Sequence, residues 1–416
     1  MSTIAVISHL WQGHIPAYHR LLAARLLSAG HRVFSLAPVA EEELELIPEP
    51  GALIHLCFGQ SPATQLRVED QVRSRPAWRR LLDRSGGAGF LKRAILLELL
   101  RSARLWKSTS ASIEALEKTT GANIDMAILV YPAVGYLCPT LPAFIVDTLF
   151  PVPWVGIWNG PEMLADPSPP LRRKDRAFRA RHCRGVLVPD TSIRDGLGTL
   201  DPSLRVYAMP EIADLRPAQA NHPQVAQISR DAEGRHIVGL LGNITLRKGI
   251  LSFIKLAALA WTRQRPIFFV AAGDFSLSSC GDEFDLIDEA CRTAPKNFRL
   301  YPKRLADGPV FNAHVMACDV IFAAYHNFPF QSNLLTKAAA FAKPVIVSQG
   351  FIMERRTVEY DLGLAVPQDD AEKALQAATV LLELPPSIRR RYADYLNANS
   401  LDALDQVLAK LVALPA

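Results

Sequence analysis

The fold predicted for the second half of this chain follows from the stretch Gly242-Asn-Ile-Thr-Leu-Arg-Lys-Gly249. The apolar run 237–241 precedes it and predicts a buried strand, and the apolar spacing of residues 250–261 predicts a helix packed on a sheet. A glycine-bounded loop between a strand and a helix start favours an anion, because its amides and the helix N-terminus attract negative charge. Arg247 and Lys248 add fixed positive charge. The pattern predicts a phosphate-binding turn, and an ordinary strand-to-helix turn is the alternative.

The composition is that of a globular chain with room for two or three domains. The chain has 416 residues, of which 49% are hydrophobic and 21% charged. Its six cysteines are scattered without a C-x-x-C pair, which argues against a zinc site and favours a reducing, cytoplasmic location. The sequence predicts neither a signal peptide nor a transmembrane helix.

Positive charge is concentrated in the first half, in residues 67–107 and 171–184, although the whole chain carries only +5. Few aromatic residues interleave with these charges, so nucleic-acid binding is not expected. In the first segment, apolar and basic residues alternate as on an amphipathic surface for anionic lipid, which predicts peripheral membrane contact. The alternative is a helix with a core face and a solvated charged face. The residues concerned are Phe90, Ile95, Leu96, Leu99, Leu100 and Trp106 among Lys92, Arg93, Arg101, Arg104 and Lys107.

Both halves of the sequence predict parallel α/β architecture. In the first half a strand, a loop, a helix from Pro16 to Gly30 and a second strand follow one another, and residues 60–120 are mostly helical with a break at 85–89. The second half repeats strands and helices in alternation and ends in helices at 371–384 and 388–414. Strands are predicted at 3–8, 31–36, 126–131, 154–157, 185–188 and 206–209, and again at 237–241, 267–272, 298–301, 319–323 and 344–347. Helices of the second half are predicted at 250–263, 283–293, 309–317 and 333–342.

The predicted fold class is α/β, with two Rossmann-like domains facing across a cleft at the carboxyl ends of their sheets, where ligands bind in such folds. The expected domains are 1–208, which binds the acceptor, and 235–385, which binds the donor, with a polar linker at 209–234. Residues 386–416 are expected to form a C-terminal helix that packs back on the first domain.

Through several further motifs, the chain resembles the GT-B glycosyltransferases over nearly its whole length. The second half is most similar to family 4, the glycogen-synthase-like group, while the front loop, Gly13-His14-Ile-Pro-Ala17, resembles inverting enzymes of the same fold. The matching marks of the second half are Gly242–Gly249, Gly273-Asp274, Cys318-Asp319-Val320, Lys337–Ser348 and Leu362-Gly363-Leu364. The resemblance implies transfer of a sugar from a nucleotide-sugar, UDP- or GDP-linked, to an acceptor hydroxyl, without a bound metal or another cofactor. Retention and inversion of the anomeric centre both remain open.

Three positions depart from the family 4 pattern. Its two glutamates, eight positions apart, are replaced by Pro329 and Lys337, and the arginine after the first loop glycine is replaced by Asn243. Arg247 is a candidate to compensate for that arginine. Lys337 is expected at the surface, where lysine usually lies, and the alternative is contact with an extra phosphate.

The candidate site residues fall into a donor group and an acceptor group. The donor group is Gly242, Asn243, Thr245, Arg247, Lys248, Gly273, Ser332, Asn333, Leu334 and Glu354, with no metal ligand. Ser332 and Asn333 stand at a helix start, where capping and phosphate binding are both compatible with the residue types. Glu354 is a candidate for contact with the donor sugar, with an ion pair to a neighbouring arginine as the alternative.

The acceptor group is His14, as general base, with Gly13 beside it in the loop. Histidine titrates near neutral pH and can take a proton from a hydroxyl. His9 is the rival, and Asp147 is a candidate to orient an imidazole.

The first hypothesis from the sequence is a cytoplasmic glycosyltransferase, with peripheral membrane contact through the basic helices of the first half. Loss of the paired glutamates keeps a second hypothesis open, a catalytically inactive relative that binds nucleotide or regulates a partner. A sugar-nucleotide epimerase on the same fold is the third.

Overall fold

The computed structural model describes residues 1–11, 13–39, 53–57, 88–159, 174–384 and 391–413, and only the backbone of 53–57, 88–94, 174–175 and Ser278. The chain divides into two compact units. Unit 1 is Met1–Pro210 together with Leu401–Ala416, and unit 2 is Glu211–Ser400.

Unit 1 contains a parallel sheet of seven strands in the order β3-β2-β1-β4-β5-β6-β7. All six strands predicted for this half are present, and Leu53–Cys57 is an additional strand that the sequence did not predict. The strands are β1 (Thr3–Ile7), β2 (Arg32–Ala37), β3 (Leu53–Cys57), β4 (Met126–Leu129), β5 (Trp154–Ile157), β6 (Cys183–Val188) and β7 (Val206–Ala208). The central residues of β1, β2, β4, β5 and β6 are almost wholly buried, as strands covered on both faces require, whereas β7 at the edge is only partly buried.

Helices cover the sheet of unit 1. The described ones are α1 (Ile15–Ser28), α2 (Ala88–Thr120), α3 (Ala143–Leu149), α4 (Thr191–Leu200) and, from the end of the chain, α14 (Leu401–Val412), with a 3-10 segment at Lys174–Arg179. α1 has Pro16 in its first turn and stops before Gly30, whose φ of 81° suits glycine, as the sequence predicts. α2 confirms the helical part of 60–120 that is described. The predicted break at 85–89 is wrong at Ala88 and Gly89, which belong to α2, and residues 85–87 lie outside the described residues.

Unit 2 contains a parallel sheet of six strands in the order β10-β9-β8-β11-β12-β13. The five predicted strands are present, and Gly363–Val366 adds an edge strand that was expected only as a motif. The strands are β8 (His236–Leu241), β9 (Ile267–Ala272), β10 (Phe298–Tyr301), β11 (Val320–Ala323), β12 (Val345–Ser348) and β13 (Gly363–Val366).

Two cores cover the two faces of this sheet. Successive side chains of a strand point to opposite faces, so Val238 and Leu240 of β8 pack into one core and Ile237 and Leu241 into the other. The described helices are α5 (Pro223–Ala232), α6 (Ile250–Thr262), α7 (Leu277–Cys280), α8 (Phe284–Arg292), α9 (Pro309–Ala317), α10 (Asn333–Ala340), α11 (Ile352–Glu359), α12 (Ala371–Glu383) and α13 (Tyr392–Ala398).

The structure differs from the sequence analysis along the connecting segments. Residues 223–232, within the predicted linker 209–234, form α5 and belong to unit 2, because Ile228 and Ala232 pack into one of its cores. The single helix predicted over 388–414 is wrong. It is two helices, α13 and α14, with a break at Asn399 and Ser400, and the first belongs to unit 2 and the second to unit 1.

Each sheet has one place where consecutive strand order reverses, and this feature positions the candidate sites. In unit 1 the reversal lies between β1 and β4, and in unit 2 between β8 and β11. Loops that leave such neighbouring strands run in opposite directions and open a crevice at their carboxyl ends. The Gly242–Gly249 loop follows β8 and His14 follows β1, so both predicted loops lie at a reversal point.

Candidate functional site

Where the Gly242–Gly249 loop leaves β8, the backbones of Gly242 and Gly273 lie close together. An added Cβ on Gly273 would lie 1.7 Å from the carbonyl oxygen of Gly242, and Gly273 has a φ of 149°, so only glycine fits there. The amide of Ile244 donates to the carbonyl of Asp274 at 2.9 Å. The glycines at 242 and 273 therefore let two strand ends meet and fix the direction of the loop.

The second half of the loop turns into α6. Thr245 caps the 3-10 turn Leu246–Lys248, with its Oγ1 accepting from the amide of Lys248 at 3.3 Å. Gly249, with a φ of 78°, then begins α6, and an added Cβ there would lie 2.7 Å from the carbonyl oxygen of Ala324. The loop thus delivers both cationic residues directly before a helix N-terminus, as the sequence predicts.

The backbone amides of the loop differ in whether they donate hydrogen bonds to acceptors in the described part of the protein. The amide of Leu246 donates to the Glu283 carboxylate at 3.1 Å. Within the described part of the chain, the amides of Asn243 and Thr245 donate to no protein acceptor. Two donors beside a helix start and two cations form a suitable environment for an anion.

The segment Tyr325–Phe330, which follows β11, lies against this loop. The amide of His326 donates to the carbonyl of Arg247 at 2.9 Å. The Lys248 ammonium lies 3.7 Å from the ring centroid of Tyr325, and the Arg247 guanidinium lies 4.9 Å from that of Phe328. Aromatic faces therefore contact both cations of the loop.

A polar network connects the same segment to the first turn of α6. The Oγ of Ser252 lies 3.0 Å from Nε2 of His326 and donates a short hydrogen bond to Asp369. Asp369 also lies 3.4 Å from Nε2 of His326, and Gln368 accepts from the amide of Asn327 at 2.9 Å. Because the Ser252 hydroxyl donates its single hydrogen to Asp369, it accepts from Nε2, and the neutral imidazole carries its hydrogen there. The turn after β13 thus holds the aromatic segment in place.

The other predicted donor residues have structural roles in this molecule. Ser332 is the N-cap of α10, with its hydroxyl accepting from the amide of Leu334 at 3.4 Å, and Asn333 is the first residue of the helix. Glu354 accepts from the amide of Gly350 at 2.6 Å, before the start of α11. Contact of these residues with a donor stays a prediction.

Lys337 is buried, so the expectation that it lies at the surface is wrong. Its side chain is 1% exposed, and its ammonium lies 2.9 Å from the carboxylate of Asp307. It also donates to the carbonyl of Asp214 at 2.7 Å and to the side-chain oxygen of Asn312 at 2.9 Å. All three ammonium hydrogens have acceptors inside unit 2, because the helix turns this residue towards α9 and the segment after Glu211. An extra phosphate has no access to this cation.

In unit 1, His14 precedes α1 and contacts a residue from another strand end. Its Nε2 lies 3.1 Å from the side-chain nitrogen of Asn159, which follows β5. Its ring lies 5.3 Å from that of Tyr18 and 6.2 Å from that of Tyr131, which follows β4. The buried Oδ1 of Asn159 has no hydrogen-bond partner within the described ranges, which end at this residue and resume at 174. The amide can therefore donate to the neutral imidazole or, after turning, accept from the protonated one.

The two other acceptor-side candidates, His9 and Asp147, make other contacts within unit 1. Burial lowers the pKa of His9 from 6.5 to about 4, so at neutral pH its ring is an uncharged part of the core beside Tyr136. Asp147 lies near an imidazole, but it is that of His182, whose Nδ1 is 3.2 Å from the carboxylate and forms no hydrogen bond within the described part of the chain. It also accepts from the amides of Arg181 and His182.

The amphipathic helix α2 has both a core face and an exposed face. Trp106 is fully buried, whereas Leu96 is 54% exposed and Leu97 and Leu100 are also largely exposed. Arg104 and Lys107 are exposed, and the side chains of Phe90, Lys92 and Arg93 lie outside the described residues. Contact of this face with anionic lipid stays a prediction. Among the described helices, none has the length and apolar character needed to span a bilayer.

The sequence matches no protein-family model and no curated protein. The structure, however, is similar over its whole length to solved glycosyltransferases. A sucrose-phosphate synthase from Thermosynechococcus elongatus is 15% identical with a TM-score of 0.68, covering 99% of this chain and 98% of that one. A UDP-forming α,α-trehalose-phosphate synthase from Burkholderia vietnamiensis is 15% identical with a TM-score of 0.69, covering 99% and 97%. WaaG, a glycosyltransferase involved in lipopolysaccharide biosynthesis, is 13% identical with a TM-score of 0.57, covering 99% and 100%.

These likenesses show the fold of the chain, which is the GT-B fold of two Rossmann-like units. The expectation of an α/β chain of this class is confirmed. The similarity extends over unit 1 and unit 2 alike, because almost the whole of each chain is covered.

Several residues of the sites were missed by sequence reasoning. Tyr325, His326 and Asn159 directly follow or closely follow strands, which is the signal that could have found them. Asp369 follows β13, which was not predicted as a strand, and Ser252 lies inside α6, so neither could be found in this way.

Proposed function

We propose that this chain is a glycosyltransferase that moves a sugar from a nucleotide-sugar donor to an acceptor hydroxyl. The observation that carries the proposal is the Gly242–Gly249 loop at the strand-order reversal of unit 2, in a chain whose whole length has the GT-B fold. A neighbour named as a UDP-forming synthase supports a nucleoside diphosphate as the leaving group. For this chain we propose UDP or GDP.

In the proposed reaction the donor diphosphate binds at the N-terminus of α6. The amides of Asn243 and Thr245 donate to its oxygens, and Lys248 and Arg247 stabilise the charge that develops as the nucleoside diphosphate leaves. Because these groups supply the positive charge, the proposed transfer requires no metal ion and no further cofactor.

His14 is the proposed general base, with Gly13 beside it in the acceptor-side loop. Its imidazole removes the proton from the acceptor hydroxyl, which makes the oxygen a better nucleophile. Asn159 supports this role, because one amide offers a donor to neutral imidazole and an acceptor to imidazolium.

A thermal-shift panel with UDP, GDP, ADP and TDP tests donor binding. Binding to the folded state alone raises the stability by about 2.7 kcal/mol at a hundredfold excess over the dissociation constant. We expect a shift with one nucleotide that is weakened in Lys248→Ala and retained in Lys255→Ala, a change to an exposed lysine farther along α6. No shift with any of the four would contradict the proposal.

Release of free nucleoside diphosphate tests catalysis. The nucleotide-sugar that matches the bound nucleotide is supplied with water as acceptor, and we expect release that is lost in His14→Ala. Unchanged release in that variant would remove the base assignment. Nucleotide binding without any release would favour the inactive relative, which the replacement of both family glutamates, including buried Lys337, also supports. Conversion of the sugar without release would favour the epimerase.

A further inference from the structure

The cations of the Gly242–Gly249 loop are held by aromatic rings. Lys248 lies 3.7 Å from the ring centroid of Tyr325 and 5.4 Å from that of Phe328. Arg247 lies 4.9 Å from the centroid of Phe328 and 5.4 Å from that of Phe330. All three rings belong to one segment, Tyr325–Phe330, on the other side of the strand-order reversal.

Lys248 differs in this respect from other cations of the molecule. Lys337 pairs with Asp307, and Arg25 pairs with Asp402 and Asp405. In the portion of the chain that is described, no carboxylate lies within ion-pair distance of Lys248. A carboxylate would cancel the charge of the ammonium and compete with a phosphate, whereas a ring face attracts the ammonium and leaves its net charge in place.

The ring of Tyr325 is fixed, and its hydroxyl does not explain its presence. The residue is 2% exposed and its ring packs edge-on against Phe328. Its carbonyl accepts from the hydroxyl of Ser348 at 2.6 Å, which ties the backbone to β12. Its own hydroxyl is buried and has no hydrogen-bond partner among the residues that the structure describes. The aromatic face is therefore the part of the side chain that is used.

We propose that Tyr325 is a positioning residue that holds the Lys248 ammonium, with its charge uncompensated, for the diphosphate of the ligand. This inference rests on the proposed function, because it takes the nucleoside diphosphate as that ligand. The ring fixes the long lysine side chain before binding, so less conformational freedom is lost when the phosphate arrives.

The test is a set of dissociation constants for UDP and GDP, measured by calorimetry. Tyr325→Phe keeps the ring and removes only the unpartnered hydroxyl, so we expect affinity within about twofold of wild type. Tyr325→Leu removes the ring face and is expected to weaken binding roughly 3- to 10-fold. In a Lys248→Ala background, Tyr325→Leu is expected to have no further effect, because the two residues act as one unit.

Two results would overturn the inference while the proposed function stands. One is wild-type affinity in folded Tyr325→Leu. The other is an equal loss in the presence and absence of the Lys248 side chain, which would mean that the ring acts only through packing. A wild type that binds neither nucleotide would contradict the proposed function and with it the ligand assigned here.

A measurement without ligand covers the case in which Tyr325→Leu folds poorly. Lysines are dimethylated with ¹³C-labelled formaldehyde, and the Lys248 signal is assigned by its absence from Lys248→Arg. A methyl group over an aromatic ring is shifted upfield, so we expect an upfield signal in wild type and in Tyr325→Phe. A signal at the position of solvent-exposed lysines in wild type would overturn the inference.

Discussion

Two buried residues show how single side chains take their roles from their surroundings. His9 and Lys337 both belong to residue types that are common at functional sites, and both are enclosed by protein. Burial lowers the pKa of His9, so its imidazole is neutral at neutral pH, and the Lys337 side chain donates to three acceptors. Each leads to a stability prediction.

His9 is expected to make unit 1 sensitive to acid. Burial lowers its pKa from 6.5 to about 4, so between these values the unfolded chain holds a proton that the folded chain does not. The free energy of unfolding therefore falls as the pH falls, by about 3 kcal/mol over this range. Five of the six tryptophans lie in residues 1–210, so tryptophan fluorescence in urea at a series of pH values follows this unit. His9→Gln is expected to reduce the pH dependence of the free energy of unfolding. His236→Gln in unit 2 is the control and is expected to leave this dependence unchanged. A slope that persists in His9→Gln would show that another group is responsible.

Lys337 is expected to be a stability residue of unit 2. Lys337→Met leaves the carboxylate of Asp307 and two oxygen acceptors without their partner. Removing one member of a buried pair costs about 3 to 5 kcal/mol of the free energy of unfolding. Lys303→Met, at an exposed position, is the control and should cost at most about 0.5 kcal/mol. Equal urea midpoints for the two variants would contradict the buried role.

At the scale of elements, the junctions between strands and helices depend on glycines with specific surroundings. Gly273 and Gly281 both have positive φ, but only Gly273 has backbone within contact distance of an added Cβ. The pair therefore separates the cost of the backbone conformation from the cost of a clash.

Gly273→Ala is expected to destabilise unit 2 far more than Gly281→Ala. An added Cβ at Gly273 would lie 1.7 Å from the Gly242 carbonyl oxygen, whereas at Gly281 no atom of the described residues lies within 4 Å. The control should cost about 1 to 3 kcal/mol, the usual penalty for a sparsely populated backbone conformation that favours glycine. Thermal unfolding followed by circular dichroism checks this difference, and equal melting temperatures would mean that the strand ends are farther apart than described.

The helix α14 illustrates how an element far along the chain completes a unit. Leu404, Leu408 and Leu411 lie one or two turns apart and are buried, so they form one apolar stripe. Arg25 of α1 pairs with Asp405 on the same helix. The chain thus returns to unit 1 after unit 2 is complete.

At the scale of the whole molecule, ending the chain at Ser400 is expected to destabilise unit 1. Loss of three buried leucines costs on the order of 5 kcal/mol, at about 1.5 to 3 kcal/mol for each side chain. Tryptophan fluorescence in urea follows this loss. Asp402→Asn changes only a surface ion pair and is the control, with an expected effect below about 1 kcal/mol. A truncated chain as stable as the full one would contradict the packing of α14.

Unit 2 is one continuous segment with its own sheet and two cores, so residues 211–400 are expected to fold alone. Cooperative thermal unfolding of that fragment by circular dichroism would confirm this expectation. A fragment without a cooperative transition would show that unit 2 requires unit 1.

The sequence by itself determined the elements whose signal is local. Apolar runs predicted eleven of the strands, Pro16 and Gly30 bounded α1, and the glycines and cations of 242–249 marked the loop. These features depend on backbone conformation and on the alternation of polar and apolar residues, which are readable within a few positions. The edge strands β3 and β13 were missed, although Leu53–Cys57 is an apolar run bounded by proline and glycine and therefore carries a local signal.

Contacts between residues that are far apart in the sequence depend on the tertiary structure. It brought Tyr325 under Lys248, Asp369 to His326, Asn159 to His14 and Asp307 to Lys337. It also assigned α13 and α14 to different units. Partners such as these lie tens to more than a hundred positions apart, so the pairing depends on strand order and helix packing. A short stretch of sequence specifies the chemistry of a side chain, whereas the fold specifies its neighbours.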